Sequence, residues 1–183
     1  MATFLEQFEG GALDREGVEV IRGNERVVHA RSEKLHRILQ IPVVNERFDH
    51  HAWGDIDLVA AKDGVPIAIV SCKTSLHGRL TETLFYSLLY RTVKNLRVVV
   101  ATPDRGRQGG VGWQSEWGSL ESPTKDRLLA EAFLAGVYVE NTQEWCPEFT
   151  PGPGAGTKLG GVVKPLTMLP KDLVRWSLEI SRS

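Results

Sequence analysis

The chain has 183 residues, with 22 basic and 23 acidic side chains and a formal net charge of −1. This length points to one compact domain, and 42% hydrophobic with 25% charged residues excludes a disordered chain. The charge balance excludes a uniformly basic, histone-like binder, and leaves open an enzyme with acidic metal ligands and only a local basic cleft.

Cys72 and Cys146 are too few for a disulfide scaffold, and neither sits in a C-x-x-C pattern. The longest apolar runs are strand-sized, so no membrane-spanning helix is expected. The opening MATFLEQFEGG lacks a basic region followed by an apolar one, which predicts no secretory signal and a reducing, cytoplasmic setting.

In chain order, a short helix is read near Leu13–Ile21. Val27, Val28, Leu35, Ile38 and Leu39 recur near helical spacing and predict a helix from about Glu25 to Gln40, ended by Pro42. Three extended segments follow: Pro42–Asp49, Asp55–Ala61 and the most apolar one, Val65–Lys73. Lys62-Asp63-Gly64 reads as the hairpin turn between the last two, because Asp-Gly tolerates positive φ. Ser75–Arg91 carries Leu76, Leu80, Leu84 and Leu88 four apart, which predicts an amphipathic helix. Next come a strand at Asn95–Thr102, a Gly- and Arg-rich loop at Asp104–Ser122 and a helix at Pro123–Ala135. A strand at Val137–Glu140 and a short helix near Lys171–Leu178 complete the reading. The order α-β-β-β-α-β-α-β predicts an α/β chain with a mixed central sheet flanked by helices.

The stretch GDIDLVAAKDGVPIAIVSCKTS carries the chemistry. Side chains alternate along a strand, so Ser71 and Lys73 share one face and Cys72 takes the other. Pairing through the tight turn brings Asp57 beside Lys73 at one end of the sheet. A carboxylate there can hold Mg²⁺, and an ammonium can orient a water and offset charge on a phosphate.

Asp57, the apolar strand and the Ser-Cys-Lys-Thr-Ser that ends it resemble the PD-(D/E)XK nuclease superfamily, with Lys73 sixteen residues after Asp57. More narrowly, Ser-Cys-Lys-Thr-Ser followed by a helix resembles type II restriction endonucleases, as does DRLLAEAFLAGVYVEN. The resemblance covers Glu25–Asn141 and implies a restriction-endonuclease-like core, α-β-β-β-α-β, at about residues 25–141 of a single nuclease domain spanning 1–183. Residues 142–183 are then a C-terminal extension. It further implies Mg²⁺-dependent, sequence-specific cutting of double-stranded DNA to leave 5′-phosphates, by a homodimer that meets both strands.

One departure stands out. The motif has an acid two residues before its lysine, where this chain has Ser71. The resemblance implies that the missing carboxylate comes from a helix, and Glu33 and Glu82 are the two candidates. Glu82 lies nine residues beyond Lys73, about 10 Å along a helix, so Glu33 is ranked first. For DNA contact the candidates are His77 and Arg79, at the start of the following helix, and Arg105, Arg107 and Gln108 in the Gly-rich loop. The rival readings are a structure-specific nuclease, such as a Holliday-junction resolvase or a repair nuclease, and a non-catalytic DNA-binding or subunit module.

Overall fold

The computed structural model describes residues 12–47, 49–74, 79–104, 115–118, 122–140 and 161–180. It opens with α1 (Ala12–Arg15), β1 (Glu19–Arg22), α2 (Glu25–Arg31) and α3 (Glu33–Leu39). Strands β2 (Ile41–Val44), β3 (Asp49–Ala52), β4 (Leu58–Lys62) and β5 (Val65–Cys72) follow, then α4 (Leu80–Lys94) and β6 (Arg97–Thr102). The chain continues through α5 (Lys125–Phe133), β7 (Gly136–Val139), β8 (Val163–Pro165), a 3-10 turn at Leu166–Met168 and α6 (Leu169–Ile180).

Six strands form the central sheet in the order β1-β4-β5-β6-β7-β8. β4 pairs antiparallel with β1 and β5, and the remaining neighbours are parallel. The mixed α/β architecture expected from the element order is therefore present. β5 is buried along most of its length, as an apolar strand covered on both faces should be. One sheet face carries Val59, Ile69, Val98 and Val100 against α2, α3, α4 and α5. The other carries Ala60, Val70, Val99 and Ala101 against α1 and α6.

Several elements differ from expectation for local reasons. The single helix at 25–40 is two, because Ser32 adopts an extended conformation, ends α2 and accepts the Leu35 N–H to start α3. A serine hydroxyl competes with the helical backbone in this way. Residues 19–22, read as the end of a helix, form edge strand β1 on β4. The strand at Pro42–Asp49 is instead the first half of a separate hairpin, β2–β3, whose turn is closed by Asn45 Oδ1 accepting from Arg47 N–H at 2.8 Å. His50 and His51 lie exposed on β3. β8, unread in the sequence, is three residues long and depends on β7 for its pairing.

The hairpin turn forms as expected, with Asp63 at φ 52° and Gly64 at φ 70°. Helix α4 also forms, but its buried side chains are Leu80, Thr83, Ser87 and Tyr90. Phe85 and Leu88 face outward. Its inner face meets strand ends and a neighbouring helix that present hydrogen-bonding groups: Ser87 Oγ donates to Phe133 O at 2.6 Å. Asn95 stops α4 in the left-handed conformation, with its N–H on Arg91 O.

The last elements are locked by one buried carboxylate. Asp172 of α6 accepts from Tyr138 Oη at 2.6 Å and Lys164 Nζ at 2.7 Å, and pairs with Arg175 at 2.9 Å. Three donors on one anion offset the cost of burying it.

Candidate active site

The segment from Trp53 to Asp57 lies before β4 and outside any strand, so it needs anchors from outside the ladder. The Trp53 indole donates to Gly23 O at 2.8 Å, and Gly23 N–H donates to Asp57 O at 2.8 Å. A Cβ at Gly23 would stand 2.2 Å from Ile56 O, so only glycine allows this approach. On the other side Tyr90 Oη accepts from Gly54 N–H at 3.2 Å and donates to Leu39 O at 3.1 Å. Burial pushes this phenol up to about 12.

These anchors set two carboxylates beside Lys73. Its ammonium lies 2.5 Å from Asp55 Oδ2 and 3.9 Å from Asp57 Oδ2. Lys73 is buried, Asp55 is half-buried and Asp57 is exposed. The expected Asp57–Lys73 neighbourhood is thus present, but the shorter contact belongs to Asp55, which the motif does not single out. The two-residue spacing of Asp55 and Asp57 was the available signal. Asp57 is held independently, its Oδ2 accepting from Cys72 N–H at 2.6 Å. Ser71 is fully buried, with its hydroxyl 3.2 Å from Thr83 Oγ1 and donating to Asp55 Oδ2 at 3.4 Å.

Cys72 faces away from this cluster and packs against the opposite core. Burial, and then the negative charge of Asp57, push its thiol up to about 12 from 9.0. The folded state therefore favours the protonated thiol. That contribution to stability is complete below about pH 9 and is lost as pH rises toward about 12. In a Cys146→Ser background, alkylation of Cys72 by iodoacetamide at pH 8 is expected to be at least tenfold slower in the folded protein than in denaturant, since the thiolate is the nucleophile. Equal rates would contradict the assigned environment.

Glu33 does not join the cluster. Its neighbours Ser32 and Lys34 both abut the β4–β5 turn: Lys34 Nζ donates to Asp63 O at 3.4 Å, and Ser32 Oγ would be 3.1 Å from a Cβ on Gly64. That turn is at the opposite end of β5, about 23 Å from Cys72 at 3.3 Å per residue. Glu33 itself is exposed and pairs with Arg37 at 3.3 Å. Glu82 is exposed on the first turn of α4. Its successor Thr83 touches Ser71, and Tyr86, one turn further along the same side, is within 3.0 Å of where a Cβ on Gly54 would be. The side of α4 bearing Glu82 therefore faces the segment that carries Asp55. Arg79 is exposed at the start of α4. His77, Arg105, Arg107 and Gln108 lie outside the described residues.

Among the described residues no three His, Cys, Asp or Glu side chains converge as a ready metal cage. Mg²⁺ does not require one, because it commonly keeps several waters and takes one or two carboxylates. Asp57, exposed and beside Asp55, fits that demand. Among the described residues no helix is long and apolar enough to cross a membrane.

A mixed sheet flanked by helices, with two carboxylates and a lysine at the ends of adjacent strands, is compatible with a restriction-endonuclease-like fold. The sequence model of the family described as BsaWI restriction endonuclease type 2 matches residues 31–151, well over half of the chain. The chain belongs to this family, which makes it a nuclease of the restriction class with DNA as its partner. No curated protein matches it in sequence.

Proposed function

We propose that this protein is a Mg²⁺-dependent type II enzyme that cuts both strands of a specific DNA sequence, leaves 5′-phosphates and acts as a cytoplasmic homodimer. We read its site as the Ser-x-Lys variant of the PD-(D/E)XK superfamily. The observation that carries the reading is Lys73 seated between Asp55 and Asp57, in a chain whose family cuts DNA.

In this reading Asp57 and Glu82 would hold the ion, which when bound would supply positive charge at the phosphate. Asp55 fixes the Lys73 ammonium, and Ser71 fixes Asp55. Lys73 orients the attacking water and offsets charge on the phosphate. The water oxygen bonds to phosphorus, the bond to the 3′ oxygen breaks, and the proton given up by the water ends on that oxygen. Arg79, His77, Arg105, Arg107 and Gln108 are assigned to DNA contact, and a second copy supplies the second site.

The test is incubation of the purified protein with supercoiled plasmid, with Mg²⁺ or with EDTA. Discrete Mg²⁺-dependent fragments with 5′-phosphate ends are expected. Cutting confined to four-way junctions would favour a resolvase. DNA binding without cutting in any divalent cation would leave a binding module and overturn the proposal.

A further inference from the structure

Thr102 closes β6 and is fully buried. Its Oγ1 has no hydrogen-bond partner among the described residues. An unmet buried hydroxyl is destabilising, and such groups in folded proteins are usually met by ordered water.

The strand register places this hydroxyl. β5 and β6 run parallel with Cys72 opposite Ala101, and Lys73 N–H continues the ladder onto Ala101 O at 2.9 Å. The next pair along is Lys73 with Thr102. Val99 and Ala101 belong to the core face that Cys72 packs against, while Val98 and Val100 belong to the other. By alternation Thr102 shares the face of Ser71 and Lys73. A further polar atom is unmet nearby: Trp117 Nε1 is buried without an acceptor among the described residues, and Trp117 packs in the cluster on that same face. Its turn is pinned two residues beyond Thr102, where Ser115 Oγ donates to Asp104 Oδ2 at 2.5 Å.

We propose that Thr102 is a positioning residue of the active site, whose hydroxyl holds a buried water that accepts a hydrogen bond from the Lys73 ammonium. The ammonium has three donors, and Asp55 and Asp57 lie on its β4 side. Of the two only Asp55 is within hydrogen-bond distance, and a water on the β6 side takes another donor and stops the ammonium from swinging away from the incoming phosphate. Thr102 Oγ1 and the Lys73 ammonium give this water the minimum of two partners that an ordered water requires. The assignment rests on the reading of Lys73 as a catalytic residue.

Thr102→Val removes the hydroxyl at nearly constant shape, and Thr102→Ser keeps it. For Thr102→Val the expected result is a ten- to hundredfold fall in kcat, the usual range for partners that orient a site residue, with KM and DNA affinity unchanged. Thr102→Ser should restore kcat to within about threefold of wild type. Thermal melting gives a readout that needs no activity. If the hydroxyl holds a water, Thr102→Val lowers Tm; if it is unmet, exchange for a methyl raises Tm. A raised Tm, or unchanged kcat in Thr102→Val, overturns the inference. A wild type that cuts no DNA would defeat the functional reading, and the direction of the Tm change would still decide whether Thr102 holds a water.

Discussion

Lys73→Ala is expected to lower DNA cleavage by roughly 10²–10⁴-fold, the usual worth of a group that orients a proton-bearing nucleophile and stabilises charge. It should also lower stability, because Asp55 would keep only the 3.4 Å contact from Ser71 in a half-buried position. Asp57→Asn is the cleaner variant. The exposed carboxylate accepts a backbone N–H from Cys72, and an amide oxygen can accept the same bond. Folding should therefore be nearly unchanged while cleavage falls by a similar factor. Time courses of plasmid cutting, paired with melting curves and gel shifts, separate the two effects. Wild-type cutting by folded Asp57→Asn in Mg²⁺ would remove this cluster from the chemistry.

Glu82→Gln is expected to reduce cleavage by about a hundredfold or more, and Glu33→Gln to leave it within a factor of two. This order is the reverse of the ranking drawn from sequence. Glu33 is tied to the turn end of the hairpin and makes only an exposed i,i+4 pair with Arg37. Loss of such a pair costs at most about half a kcal/mol. Glu82 sits on a helix whose first turn is hydrogen-bonded to β5, the strand that leads into Lys73. A Ser71→Asp change on the Glu82→Gln background is the natural rescue, since it returns a carboxylate to the position two residues before Lys73. Equal activity of Glu82→Gln and wild type across Mg²⁺ concentrations would show that Asp55 and Asp57 suffice.

Chemistry carried by short-range order was readable in the sequence. Asp63-Gly64 must turn, because both positions take positive φ; residues 65–72 are too apolar to be anything but a central strand. Those two facts bring Asp57 to the end of β5 that carries Lys73, and the Gly23 N–H bond to Asp57 O then fixes its place. Alternation also put Cys72 on the opposite face from Ser71, as its packing against the second core shows. The periodic segments at 80–94 and 125–133 were legible as helices for the same reason.

What depended on contacts between distant residues was not legible. β1 and β8 are four and three residues long, too short to declare themselves without β4 and β7 beside them. The apolar stripe of α4 is partly as its spacing indicates, since Leu80 is buried and Leu84 and Leu89 pack on the core. Phe85 and Leu88 instead face outward, because the sheet end and α5 offer hydrogen bonds to Thr83 and Ser87. The reach of Glu33 depended on which end of α3 meets the hairpin, a matter of packing that no local pattern encodes. The closeness of Asp55 to Lys73 likewise depended on Gly23, Tyr90 and Trp53, drawn from three separate parts of the chain. Local sequence determined which charged residues lie near the ends of adjoining strands; the long-range anchors decided how closely each approaches Lys73.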